Sequence, residues 1–218
     1  MKYPGFNHLE IQHEFHVLWE ELNSELDEQS IIKRLRLIHS VYDDIANQVA
    51  VLVLIEAFWS RSQSLVNPLT ILNSFALGEP GEGRIRVTST VGDYDGVIDV
   101  PVPEIRSRLD ELERLVSAGV SLLKGAGIIE QAFFLAYVHA SLIRIHPFAD
   151  GNGRTARFFV QYAMRSWHMP PLPLPKVRND PLWKSALTRA ISGDYMSLRD
   201  NVASRMREVL VAQEMDGH

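Results

Sequence analysis

The stretch "HPFADGNGRTAR", His146 to Arg157, places a histidine, an acid, two glycines around an asparagine and two arginines within twelve positions. Imidazole titrates near neutral pH and serves as a general base, although a single histidine among eight is more often structural or superficial. Asp150 reads as a loop acid or helix cap; beside a phosphate it reads as a ligand for Mg²⁺, which keeps most of its water and bridges to phosphate oxygens. An isolated Gly-Asn-Gly is usually a turn. Gly151, Asn152 and Gly153, however, stand between two helical patterns and lead into the second, where unpaired amides and the positive dipole end attract anions. Arg154 and Arg157 fall three apart on that helix, either as a solvated face or as a phosphate grip. Cations in a first turn oppose the helix dipole, and a bound anion removes that conflict. Phe148 reads as the side chain that plugs the loop into the core.

Together the parts describe a site for a nucleoside triphosphate, held by backbone amides, arginines and Mg²⁺, with a base ready to activate a hydroxyl. A Walker A loop is excluded, because no GxxxxGK[ST] occurs.

Two helices must carry this loop. "IIEQAFFLAYVHASLIRI" is apolar nearly all round and reads as a central helix, and Pro147 bars its continuation through His146. After Gly153 the helical period resumes with Val160, Ala163, Met164 and Trp167 on one face, until the prolines at 170–175. Upstream, residues 9–65 read as helical, with Ile11, Phe15, Leu18, Trp19 and Leu22 at helical spacing. Between them Ile85, Val87, Ser89 and Val91 alternate with Arg84, Arg86, Thr88 and Thr90, and the turn Gly92–Gly96 makes residues 84–100 a hairpin. Ile105, Leu109, Leu112 and Val116 announce another helix. Asp180-Pro181 caps one running to about Ile191, and Tyr195 to Gln213 forms the last. The fold class is mostly α with one β-hairpin. A helical N-terminal region, residues 1–70, is expected to pack on a core of residues 71–218.

The bulk numbers agree with one sizeable core: 218 residues, 46% of them hydrophobic. A net charge of −5 argues against binding nucleic acid or an anionic membrane. No cysteine means no disulfide or thiolate metal site. The N-terminus has no apolar signal core, and the uncharged run Val49–Ile55 is far short of a membrane span. The expected location is the cytoplasm, with a secreted effector as the other option.

The motif resembles that of Fic-domain proteins, HxFx[D/E]GNGRxxR, and fits it at His146, Phe148, Asp150, Gly151, Asn152, Gly153, Arg154 and Arg157. At about one chance in twenty per fixed residue, such a match arises by accident with a probability on the order of 10⁻¹⁰ per starting position. The hairpin over 84–100 looks like that family's target-binding flap. The resemblance implies a Fic-type helical bundle that transfers AMP from ATP to a protein hydroxyl. His146 would be the base and Asp150 would hold Mg²⁺. Gly151–Gly153 with the Asn152 side chain would bind the inner phosphates, and Arg154 and Arg157 the outer ones. The implied partner is a protein presenting a Ser, Thr or Tyr hydroxyl in an extended segment laid along the flap as an added strand. Relatives that transfer phosphate, UMP or phosphocholine, or a non-catalytic nucleotide-binding module, are the alternatives.

Many such proteins carry an inhibitory helix with the pattern [S/T]xxxE[G/N], which has no full match in this chain. Ser24-xxx-Glu28 is followed by Gln29 and Ser204-xxx-Glu208 by Val209; Ser62-xxx-Val66-Asn67 keeps the frame but carries valine for glutamate. That last segment reads either as a degenerate inhibitor or as the end of a core helix. On the first reading, restraint comes from a separate inhibitory protein or from homo-oligomerisation.

Overall fold

A computed structural model describes residues 69–70, 72–73, 84–89, 100–169, 172, 174–175, 177 and 180–216. The expected N-terminal helical region lies almost wholly outside them, as do Ser62, Val66 and Asn67 and the hairpin's residues 90–99. Five helices are described: α1 (Ile105–Leu122), α2 (Ile128–Ile145), α3 (Asn152–Ser166), α4 (Pro181–Ile191) and α5 (Met196–Asp216).

Each helix begins and ends where backbone chemistry requires. Pro101 and Pro103 cannot supply helical amides, so the chain makes one 3-10 turn, Val102–Glu104, before α1. The α1 positions Ile105, Leu109, Leu112 and Val116 are all buried, giving the stripe foreseen from their spacing. Gly125, at φ +84°, turns the chain toward α2. Asp180 accepts a 2.9 Å bond from Trp183 N and Pro181 opens α4, the cap and first-turn pair its sequence announces.

Helix α2 is the axis, packing against α1, α3, α4 and α5. Ten of its eighteen residues are buried, among them Ala132, Leu135, Ala136 and Val138. Its length and apolarity would suffice to cross a bilayer, but four neighbouring helices cover it, as they cover the central helix of a core. Around it close Phe159, Val160 and Met164 of α3, Trp183 and Leu187 of α4, and Leu198, Val202 and Met206 of α5. Burying each large side chain stabilises the fold by roughly 1.5–3 kcal/mol.

Along residues 84–89 the structure departs from the simple alternation. Ile85 pairs as an isolated antiparallel bridge with Phe148, but the chain bends at Val87 and Thr88. Val87 is therefore 84% exposed, whereas Arg86 is buried at 4%. Ser204 and Glu208, one of the incomplete inhibitory frames, are exposed on α5, where Ser204 Oγ donates to Glu208 Oε1 at 3.3 Å.

Candidate functional site

The motif occupies the turn from the end of α2 into the start of α3. The residue before a proline avoids the right-handed helical region, so α2 stops at Ile145. His146 adopts φ 48°, ψ 57°, a left-handed conformation uncommon for a residue with a side chain, while its amide still donates to Leu142 O at 3.1 Å. The reversal turns the imidazole out of the helical register. Its Nδ1 is buried.

Phe148, 1% exposed, anchors the loop in the core as expected. Asn152, whose side chain the resemblance sets toward the inner phosphates, is 6% exposed here, and both ends of its amide bond to Phe148. Oδ1 accepts from Phe148 N at 3.0 Å and Nδ2 donates to Phe148 O at 2.8 Å. Asn152 braces the loop across five residues, and its backbone begins α3.

Gly151 stands at φ +78°, where a Cβ is strained, and its amide reaches the Asp150 Oδ1 at 2.5 Å. Thr155 closes the first turn: its amide and its Oγ1 both donate to Gly151 O, at 2.9 and 3.0 Å. A Cβ on Gly153 would lie 3.7 Å from Arg157 Nη1, so the guanidinium runs beside the bare backbone of the turn. Arg154 Nη2 is 3.4 Å from Asp150 Oδ2, in a pair whose side chains are 42% and 80% exposed. Such an exposed pair is worth little and exchanges readily for stronger partners. The structure thus gathers His146, Asp150, Gly151, Gly153, Arg154 and Arg157 at one helix junction.

Two supporting residues had escaped sequence reasoning. Asn73, fully buried, donates from Nδ2 to Asp150 O at 2.8 Å and to Thr155 Oγ1 at 3.2 Å, fixing the loop from an upstream segment. His139, two turns before His146 on α2, lies 2% exposed with its ring centroid 5.7 Å from that of Trp183. Burial and then the Arg157 guanidinium push its pKa from 6.5 down to about 4, against a smaller opposing effect of a hydrogen bond with the Ala156 backbone. A neutral imidazole therefore lies beneath the cation. The only sequence signal was a histidine on an apolar helix face at a seven-residue interval.

Mg²⁺ fits the donor set in one way. Among the described residues no three His, Asp or Glu side chains cluster as an all-protein cage. The exposed carboxylate of Asp150, paired only with Arg154 and the Gly151 amide, would suit an ion that takes one carboxylate and completes its shell with water and phosphate. A separate cavity of about 310 Å³ lies on the other flank of α2, lined by Glu104, Arg108, Tyr137, Ser141, Arg144 and Tyr195 among others, and no motif residue borders it.

Residues 71–164 match the model of the Fic/DOC family. A 43-residue stretch is 44% identical to "Protein adenylyltransferase Fic" of Drosophila persimilis, covering 20% of this chain and 8% of the fly protein. A 40-residue stretch is 45% identical to "Uridine 5'-monophosphate transferase" of Xanthomonas campestris pv. campestris, covering 18% of this chain and 8% of that protein. Among solved structures, a Fic domain containing signaling protein from Bacteroides thetaiotaomicron superposes with a TM-score of 0.61 at 17% identity, covering 97% of both chains. BepC from Bartonella tribocorum, solved with bound AMPPNP, superposes with a TM-score of 0.52 at 18% identity, covering 82% of this chain and 87% of that one. These likenesses establish a shared fold.

Proposed function

Residues 71–164 match the Fic/DOC family, and on that premise we propose that the chain transfers AMP from ATP to a hydroxyl of a target protein. The observation that carries this reading is the single junction at which His146, Asp150, the glycine turn and Arg157 meet. The hydroxyl oxygen attacks the α-phosphorus, the α–β phosphoanhydride bond breaks, and pyrophosphate leaves. The His146 imidazole takes the hydroxyl proton. The first amides of α3 and the guanidinium of Arg157 face the phosphates, which relieves the cost of placing cations at a helix N-terminus. Arg154 releases Asp150 and turns to the outer phosphates, so that Asp150 can hold Mg²⁺. When bound, that ion neutralises phosphate charge and orients the reacting oxygens. Positioning supplies much of the remaining rate. BepC, a protein of the same fold, was solved with AMPPNP bound, which supports an adenine nucleotide as the substrate.

A second reading has its own observation: the local match to a UMP transferase is as strong as that to the adenylyltransferases. The junction grips phosphates, and nothing in it reads the base. Comparing transfer from ATP and UTP at equal concentration decides between the two; faster transfer from UTP would replace AMP by UMP in this account.

The phosphate grip makes a further prediction. Arg157→Ala should weaken ATP binding by about tenfold to a hundredfold, the range of a lost charge-assisted hydrogen bond. Asp150→Ala should abolish most activity together with its dependence on Mg²⁺ concentration. Calorimetric titration with ATP, with and without Mg²⁺, checks both, and unchanged affinity and kinetics in the two variants would remove the phosphate assignment.

A further inference from the structure

The last carbonyls of a helix lack internal partners. At the end of α2 one of them is met from upstream, where Val100 N donates to Arg144 O at 3.5 Å, and just beyond the helix Arg86 N donates to Pro147 O at 2.8 Å. The Arg86 side chain completes the set. Its Nε donates to His146 O at 2.6 Å, Nη1 to Thr88 O at 2.9 Å and Nη2 to Val100 O at 2.5 Å. One buried guanidinium thus joins three places in the chain: Thr88, Val100 and the carbonyl of the left-handed His146.

We propose that Arg86 is a positioning residue that ties Thr88 and Val100 to the carbonyl of His146 and so fixes the backbone from which the base is presented. This rests on His146 acting as the base. The chemistry requires arginine. Burying a cation is costly unless its donors are matched, and only a planar fork serves three carbonyls in fixed directions. A positive group is also favoured at the C-terminal end of α2, where the helix dipole is negative. Because the carbonyl of His146 belongs to the same peptide unit that fixes its reversed backbone, releasing it frees the imidazole and loosens Thr88 and Val100 together. None of these bonds touches the start of α3, so the phosphate cradle is left in place.

The test compares Arg86→Met, which keeps the apolar stem, with Arg86→Lys, which keeps the charge but loses the fork. Two quantities are read: native-state amide exchange at Val100 without nucleotide, and transfer from α-labelled ATP to the chain itself and to lysate proteins, with ATP affinity by calorimetry. In Arg86→Met, exchange at Val100 should accelerate and the transfer rate at saturating ATP should fall by about 10²-fold, the cost of roughly an ångström of misplacement. ATP affinity and the KM for ATP should stay within about twofold. Arg86→Lys should fall between Met and the parent. If Val100 exchanges faster while transfer persists at the parental rate, the positioning role is wrong. Parallel losses of ATP affinity and transfer would also overturn it, because Arg86 would then merely support the fold. Should Arg86→Met fail to fold, Arg86→Lys carries the same comparison. A parental chain that transfers no label overturns the proposed function instead, while exchange at Val100 still reports on the clamp.

Discussion

His146→Ala should lower transfer by about 10²–10⁴-fold while leaving ATP bound nearly as tightly as in the parent chain. The separation follows from the architecture. His146 is the C-terminal cap of α2, whereas the proposed phosphate cradle begins at Gly151, in a turn braced independently by Asn152, Thr155 and Asn73. Alanine at 146 must still adopt the left-handed backbone, at a cost of roughly 1–2 kcal/mol, so the variant is compared at a temperature well below its own midpoint. Rates of label transfer and calorimetric ATP affinity provide the check. Transfer near the parental rate would show that another group takes the proton.

The second large effect is on acid stability. His139 is held near 4 in the folded chain, against 6.5 when unfolded, so its neutral form is favoured by the fold. Above pH 6.5 both states carry it neutral and nothing is lost. As the pH falls from 6.5 toward 4, the unfolded chain takes up a proton that the folded chain refuses, and stability declines; below about 4 the difference saturates. The full loss is on the order of 3 kcal/mol for this shift. Denaturation midpoints measured from pH 7 to pH 4 should therefore fall less steeply for His139→Asn than for the parent, since asparagine retains polar contact without titrating. Equal slopes would mean that His139 is not held neutral. The residue also matters to the proposed site: a protonated His139 would set a second cation against Arg157.

The helices were legible because apolar period and backbone punctuation agree. Asp180-Pro181 marks the start of α4, and Pro147 marks the end of α2. The motif residues were legible because chemistry concentrated them in twelve positions. What could not be read was the direction each side chain takes. An asparagine between glycines can face a ligand or its own loop, and Asn152 turns inward to pair with both ends of the Phe148 peptide. Proline at 147 forbids right-handed helix at His146 but does not choose the left-handed well; Arg86, capturing the resulting carbonyl from sixty residues upstream, stabilises that choice. Arg86 and Asn73 bind main-chain carbonyls, and such bonds leave no periodic trace in a sequence. Alternation in residues 84–91 suggested a regular strand, whereas the bend at Val87 and Thr88 exposes the valine and lets the arginine reach inward.

The central claim, transfer of AMP to protein at the His146–Arg157 junction, is tested most directly by two parallel incubations of the purified chain with lysate, one with α-labelled and one with γ-labelled ATP. The account predicts label on protein from the α-labelled nucleotide alone, with the γ label recovered in pyrophosphate, and no protein label in either incubation with His146→Ala. Protein labelled from γ-labelled ATP, or from neither nucleotide, would contradict it.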